Sequence, residues 1–108
     1  MREGEVKILP GGRLRQVGIN YTRDPIMVWH NNQFAIVKWP GHSEWACRGY
    51  SEYWPTHWWL LEVEFKSPEL MMVKSQIREE TPGKNWRKCQ DEFLAIAIKR
   101  SGINGNQG

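Results

Sequence analysis

The chain has 108 residues, of which 15 are basic and 12 acidic, and its formal net charge is +3. Hydrophobic residues make up 40% and charged residues 25%, a balance that excludes a disordered chain and a membrane-spanning one. The longest apolar run, at residues 93–98, is far shorter than the roughly 20 residues of a membrane span. This length predicts a single domain at residues 1–100, followed by a flexible tail at 101–108.

The opening residues and the cysteines indicate the compartment. Charged residues rather than an apolar segment follow Met1, so we expect no secretory signal and a cytoplasmic location. Cys47 and Cys89 form no Cys-x-x-Cys pair, and in a reducing compartment both are predicted to be thiols. Such cysteines usually serve as small apolar core residues.

The N-terminal half is predicted to form short strands. Residues 6–9 and 14–19 carry weak strand signals, whereas 26–30 and 34–39 are rich in β-forming residues. Asn31-Asn32 separates the second pair, and asparagine is typical of tight turns. This pair is therefore predicted to be a β-hairpin.

Further strands are predicted at residues 45–48 and 57–65, with an aromatic loop at 50–55 between them. Alternation along the second of these strands assigns four residues to a core face: Trp59, Leu61, Val63 and Phe65. The opposite face, expected to be only partly buried, carries Trp58, Leu60, Glu62 and Glu64.

Residues 69–80 allow two interpretations. Ser67-Pro68-Glu69 is typical of a helix start, and the apolar residues that follow have helical spacing. The same residues also suit a strand. A last helix is predicted at residues 85–100, and its apolar stripe contains Trp86, Cys89, Phe93, Ile96 and Ala97.

These elements predict an α+β fold. We expect a small antiparallel sheet or SH3-like barrel of four to five strands, followed by one or two C-terminal helices.

The run Pro55-Thr56-His57-Trp58-Trp59-Leu60-Leu61 resembles the closing motif of a small uncharacterised domain found in phages and prophages. Members of that family end in Thr-His-Trp, a hydrophobic residue and Pro-Leu-Pro, and they carry an upstream hairpin similar to residues 26–37. The resemblance covers residues 25–61, and the prolines after Trp58 are missing here. It implies a phage or prophage origin and a small β-rich fold, and no activity.

Aromatic side chains in the predicted loop indicate a protein-binding surface, since Trp and Tyr are frequent interface anchors. With the acids of the neighbouring strand, the predicted partner-binding residues are Tyr50, Tyr53, Trp54, Trp58, Glu62 and Glu64. The alternative is that these rings fold back as a lid over the sheet.

A second candidate site is the start of the last helix, where Lys84, Arg87 and Lys88 are clustered. Cations there oppose the helix dipole, whereas an anion is stabilised by it. The cluster therefore predicts binding of an anion or of nucleic-acid phosphates. In the alternative interpretation, nearby acids neutralise it: Glu79, Glu80, Asp91 and Glu92.

No residue pattern predicts catalysis or a cofactor. His30, His42 and His57 lie much further apart than the about three to five residues between paired histidine ligands, so no metal site is expected. Cys47 and His57 are nucleophile and base types without a local oxyanion hole, so we expect no enzyme.

Two functions remain. The first is a small non-enzymatic interaction module that binds a protein partner through an aromatic, mildly acidic β surface. The second is a nucleic-acid-associated protein that uses the basic start of the last helix with Arg13, Arg15 and Arg23. The first is favoured because six of the seven tryptophans lie in residues 29–65, a segment with four acidic and two basic side chains.

Overall fold

The computed structural model describes residues 1–19, 23–45 and 51–105, and it describes only the backbone at 42–45, 51–54 and 103–105. The elements in chain order are β1 (Gly4–Ile8), β2 (Leu14–Gln16), β3 (Ile26–His30), β4 (Phe34–Trp39), β5 (His42–Trp45), β6 (Ser51–Trp54), β7 (His57–Ser67), β8 (Leu70–Glu80) and α1 (Trp86–Gly105). Short 3-10 turns at Pro10–Gly12 and Gly83–Asn85 precede β2 and α1.

Six strands form one antiparallel sheet in the order β2-β1-β8-β7-β4-β3, while β5 and β6 form a separate two-stranded sheet. The α+β prediction is confirmed, but the expected four to five strands are too few. Strand β6 replaces most of the predicted aromatic loop. The predicted strand at residues 45–48 lies outside the described residues, apart from Trp45 at the end of β5.

The sheet curls into a half-barrel. Its outermost strands meet at one end, where Arg13 bridges Ile26 and the Leu14 amide donates a 2.8 Å hydrogen bond to the Pro25 carbonyl. The inner face of the curl is a core. Five strands of the main sheet, β1, β2, β4, β7 and β8, contribute buried residues to it, and β3 contributes the partly buried Met27. The buried residues of this core are Met1, Val6, Leu14, Ala35, Val37, Trp39, Trp59, Leu61, Val63, Met71 and Val73.

The outer face of the sheet holds a second core beneath α1. From the helix, Cys89, Phe93 and Ala97 are buried against the sheet. The sheet residues they meet are Phe34, Ile36, Trp58 and Leu60. The opposite face of β7 is therefore partly buried, as predicted: α1 covers Trp58 and Leu60, whereas Glu62 is half-buried and Glu64 is exposed.

The β7–β8 hairpin settles the ambiguity at residues 69–80 in favour of the strand. Ser67-Pro68-Glu69 forms the hairpin turn instead of a helix start, and the Ser67 hydroxyl accepts a hydrogen bond from the Glu69 amide at 3.2 Å. Strand β8 pairs with β7 on one side and with β1 on the other. Backbone pairing on both sides stabilises the extended conformation over a single solvated helix.

The predicted hairpin and last helix are both confirmed. Asn31 makes the β3–β4 turn through its side chain, whose oxygen accepts hydrogen bonds from the Gln33 and Phe34 amides. Helix α1 starts one residue later than predicted and continues to Gly105, into the segment expected to be a flexible tail. Its Ser101 hydroxyl accepts a 3.1 Å hydrogen bond from the Asn31 side chain.

Candidate functional site

A pocket of about 200 Å³ lies where β4, the start of β7 and the β8–α1 connection meet. Residues from four separate parts of the chain line it: Lys38, Pro55, Thr56, Trp58, Thr81, Gly83 and Trp86. It combines an aromatic wall, one ammonium group and two hydroxyl groups in a single concave surface. Such a mixture of apolar wall and few polar groups is typical of a ligand-binding pocket.

Two tryptophans form the aromatic wall. The rings of Trp58 and Trp86 are stacked, with centroids 6.0 Å apart and planes 6° from parallel. Trp58 is only 4% exposed because it lies under α1, whereas Trp86, the first residue of α1, is 40% exposed. The prediction that Trp86 belongs to the buried stripe of the helix is therefore wrong: its ring contacts Trp58 but stays exposed at the start of α1.

A cation lies against each ring of this pair. The Lys38 Nζ atom is 5.7 Å from the Trp58 ring centroid, and the Arg87 guanidinium carbon is 5.1 Å from that of Trp86. Both distances are within the range of cation–π attraction. Lys38 is half-buried on β4 beside Trp58, its cross-strand partner. In the part of the chain that the structure describes, no carboxylate lies within salt-bridge distance of Lys38.

The predicted anion-binding residues do not line the pocket but are close in the chain to Gly83 and Trp86, which do. Lys84 lies in the 3-10 turn, while Arg87 and Lys88 lie in the first turn of α1, which contains no acid. All three are exposed, and none pairs with a carboxylate whose side chain the structure describes. Two of the acids expected to neutralise them have other partners, since Glu80 pairs with Arg78 at 3.5 Å and Glu79 hydrogen-bonds with His57.

The predicted protein-binding residues do not form one described surface. Tyr50 lies outside the described residues, and Tyr53 and Trp54 lie on β6, where only the backbone is described. Trp58 is buried and so is not the exposed aromatic anchor expected of it. Instead it forms part of the pocket wall.

The two acids of that predicted surface lie further along β7. Glu62 is half-buried and accepts a hydrogen bond from the Ser75 hydroxyl at 3.3 Å. Glu64 is exposed and pairs with Lys66 at 3.2 Å. At the rise of a strand, Glu62 is roughly 13 Å from Trp58, so the acids and the pocket are separate features.

A polar cluster lies at the other face of the β7 start. The His57 Nδ1 atom is 2.8 Å from Glu79 Oε2, and the imidazole lies against the rings of Trp39 and Trp59. Desolvation acts to raise the pKa of Glu79. Hydrogen bonds from Trp59 and His57 and the positive charges of His57 and the Met1 amino group outweigh it, so the pKa of Glu79 is lowered.

Among the described residues, the cysteine is not a reactive nucleophile, and the acids, cysteines and histidines form no metal site. Cys89 is a buried free cysteine in the core beneath α1, and burial, followed by the charges of Glu80 and Glu92, raises the pKa of its thiol to about 11. A thiol held protonated in this way is a poor nucleophile. Cys47 lies outside the described residues. The described residues contain no group of three or more acids, cysteines and histidines that could hold a metal ion.

Lys38, Thr56, Thr81 and Trp86 were not predicted as site residues. A weak signal for Lys38 is present, because it is the one charge in the apolar strand β4. The position of Trp86 immediately before Arg87 and Lys88 is a second such signal. No local pattern could have joined them, since their contacts depend on how β4, β7 and α1 pack. No described helix is long and apolar enough to cross a membrane.

Comparisons with protein-family models, with curated proteins and with solved structures find no match to this chain. The site geometry therefore carries the functional interpretation.

Proposed function

We propose that this protein is a small, SH3-like, non-enzymatic module that binds single-stranded nucleic acid at the Trp58–Trp86 pocket and the basic start of α1. The observation that carries the proposal is the contact between a stacked tryptophan pair and two cations, Lys38 and Arg87. Two further exposed lysines, Lys84 and Lys88, lie two residues before and after Trp86 in the chain. Single strands are bound in this way, with bases on aromatic rings and phosphates on nearby cations.

This proposal reverses the order of the two functions that the sequence favours. Along the chain, Trp58 lies in an acidic segment, and this separation from basic residues argues for a protein partner. In the fold, Trp58 lies against Lys38 and is stacked on Trp86, which in turn lies against Arg87. Charge along the chain is therefore a poor guide to charge around this ring.

The test is a fluorescence titration of the full chain with a single-stranded oligonucleotide at several salt concentrations. We expect quenching of tryptophan fluorescence, because Trp86 is exposed at the pocket. If Lys84, Arg87 and Lys88 each neutralise one phosphate, the logarithm of the binding constant falls against that of salt with a slope of roughly −2, since each contact contributes about −0.7.

Single substitutions locate the surface. Lys88→Gln is expected to reduce the salt slope by about 0.7, because it removes one phosphate contact. The matched control is Lys74→Gln, which removes an exposed lysine from β8 and is expected to leave the slope unchanged. Absence of quenching at low salt, or equal effects of the two substitutions, would contradict the proposal.

A protein partner is the second candidate. It is supported by the exposed carboxylate of Glu64 on the part of the outer sheet face beyond the residues packed against α1. Binding through this surface predicts that Glu64→Gln weakens association with a cationic probe such as oligolysine, measured by anisotropy. The same substitution is expected to leave the oligonucleotide titration unchanged.

A further inference from the structure

We infer that the pocket at Trp58 and Trp86 is a base subsite that selects bases with a ring carbonyl beside a ring N–H, namely thymine, uracil and guanine, over cytosine and adenine. This inference rests on the proposed function and adds a preference to it. It is carried by the hydrogen-bonding capacity of the polar groups that line the pocket.

Lys38 supplies the first half of the selection. Its ammonium group can only donate hydrogen bonds, the residue lines the pocket, and no described carboxylate pairs with it. The Nζ atom lies 5.7 Å from the Trp58 ring centroid, and an indole ring offers no oxygen or nitrogen acceptor. A base that fills the pocket and displaces water from this ammonium must therefore supply an acceptor, since burial without a partner is unfavourable. The carbonyl oxygen of thymine O4, uracil O4 or guanine O6 supplies that acceptor, whereas cytosine and adenine place an amino group at the same position.

Thr56 supplies the second half. Its hydroxyl donates its one hydrogen to the Pro40 carbonyl at 2.8 Å, so toward the pocket it can only accept. The ring nitrogen next to the carbonyl carries a hydrogen in thymine, uracil and guanine. In cytosine and adenine the equivalent nitrogen is an acceptor and would face another acceptor.

The acid nearest to Trp58 along the sheet does not compete with a base for Lys38. On the side of Trp58 away from Lys38, the cross-strand residue is Glu80, whose carboxylate pairs with Arg78 at 3.5 Å. Glu80 does not line the pocket. Trp86, the exposed ring of the wall, stacks on any base and so contributes affinity without preference. The Thr81 hydroxyl also lines the pocket, and because a hydroxyl both donates and accepts, it can pair with either kind of base edge. The choice of base is therefore left to Lys38 and Thr56.

The experiment compares oligo-dT with oligo-dC of equal length in fluorescence titrations of the full chain at one salt concentration. The two bases have the same ring size and differ in the hydrogen-bonding edge and in the thymine methyl group, and the Lys38 variants below separate these two differences. We expect about tenfold tighter binding of oligo-dT, within the range of one well-formed base contact. The mononucleotides dTMP and dCMP are expected to show the same order at lower affinity.

Two variants separate the pocket from the phosphate surface. Lys38→Met keeps the apolar stem of the side chain and is expected to remove the preference for oligo-dT while retaining salt-dependent binding. Lys84→Met is the matched control, expected to weaken both oligonucleotides equally and to keep their ratio. If circular dichroism shows that Lys38→Met is unfolded, Lys38→Gln replaces it, with the same expected loss of preference.

The outcomes are distinguishable. Equal binding of oligo-dT and oligo-dC by the unmodified chain, or an unchanged ratio in a folded Lys38 variant, overturns the base preference and leaves the proposed function standing. Binding of neither oligonucleotide overturns the proposed function. If dTMP binds as tightly as oligo-dT, the ligand is a free nucleotide and the single-strand part of the proposal is overturned.

Discussion

The described tryptophan side chains have different structural roles, which their packing partners decide. Trp39 and Trp59 are buried in the inner core, and Trp58 is buried under α1. Trp29 is half-buried against the same helix, whereas Trp86 remains 40% exposed. Of the five tryptophan side chains that the structure describes, four therefore belong to the two cores, and one exposed ring at the pocket carries the functional proposal.

Gly12 lies where the turn before β2 passes close to β3. It has φ +77°, and a Cβ atom there would lie 3.0 Å from the Met27 carbonyl oxygen on β3. Gly11 has a similar φ of +81° but has no atom within 4 Å of such a Cβ. A side chain at either position would therefore be strained by the left-handed backbone, but only one at Gly12 would also contact the Met27 carbonyl.

We predict that Gly11→Ala lowers the free energy of unfolding by about 1–2 kcal/mol through left-handed strain alone, and that Gly12→Ala lowers it further. The extra loss arises because the Met27 carbonyl must move away from the new methyl group. Urea denaturation monitored by circular dichroism gives both values. Equal losses in the two variants would show that the contact between the turn and β3 contributes nothing to stability.

At the scale of elements, the β7–β8 hairpin supports both the cores and the site. It places Trp58 and Trp59 on opposite faces, so one ring lies under α1 and the next lies inside the curl. At its open end, Glu79 is the cross-strand partner of Trp59 and also reaches His57. This polar cluster links β7 to β8 at the open end of the hairpin through side chains.

We predict that the cluster of His57 and Glu79 makes the free energy of unfolding depend on pH in the acidic range. The pKa of Glu79 is lowered in the fold from its ordinary value of 4.5, so its contribution to stability is present above that value. It is lost as the pH falls through the lowered folded pKa. Thermal unfolding of the wild type and of Glu79→Gln should therefore differ most near neutral pH and converge in acid.

The matched control for this prediction is Glu69→Gln, at the exposed hairpin turn, where the difference from wild type should stay small throughout. A difference for Glu79→Gln that persists unchanged at low pH would contradict the assignment of the lowered pKa.

At the scale of the whole molecule, two cores share one sheet. Strands β4 and β7 contribute alternate residues to the inner core and to the core beneath α1. Displacement of either strand would therefore disrupt both cores at once. Because the two cores share these strands, we expect the sheet and the helix to unfold cooperatively.

We predict a single unfolding transition, with the same midpoint by far-UV circular dichroism and by tryptophan fluorescence. Phe93→Ala, at a side chain 1% exposed, should lower the free energy of unfolding by about 3–5 kcal/mol and still give coincident curves. Ile98→Ala, at a side chain 60% exposed on the same helix, should change it by less than about 0.5 kcal/mol. Loss of helix before any change in fluorescence would contradict the shared-core description.

Local patterns were sufficient for the elements whose burial is periodic. Alternation along β7 identifies Trp59, Leu61 and Val63 as inward-facing, because a strand with one buried face must alternate. The β3–β4 hairpin is also predictable, since the Asn31 side chain makes the turn locally. The cluster of Lys84, Arg87 and Lys88 was recognisable because uncompensated cations at a helix start are unusual.

By itself, therefore, the sequence determined the class of fold, the β3–β4 hairpin, one core face and the last helix. Only the tertiary structure decided that residues 70–80 are a strand, that Trp58 is buried while Trp86 is exposed, and that Lys38 lies against this pair. The physical reason is the range of the interactions. Periodicity reports whether a residue is buried, but which elements bury it depends on contacts between residues far apart in the chain.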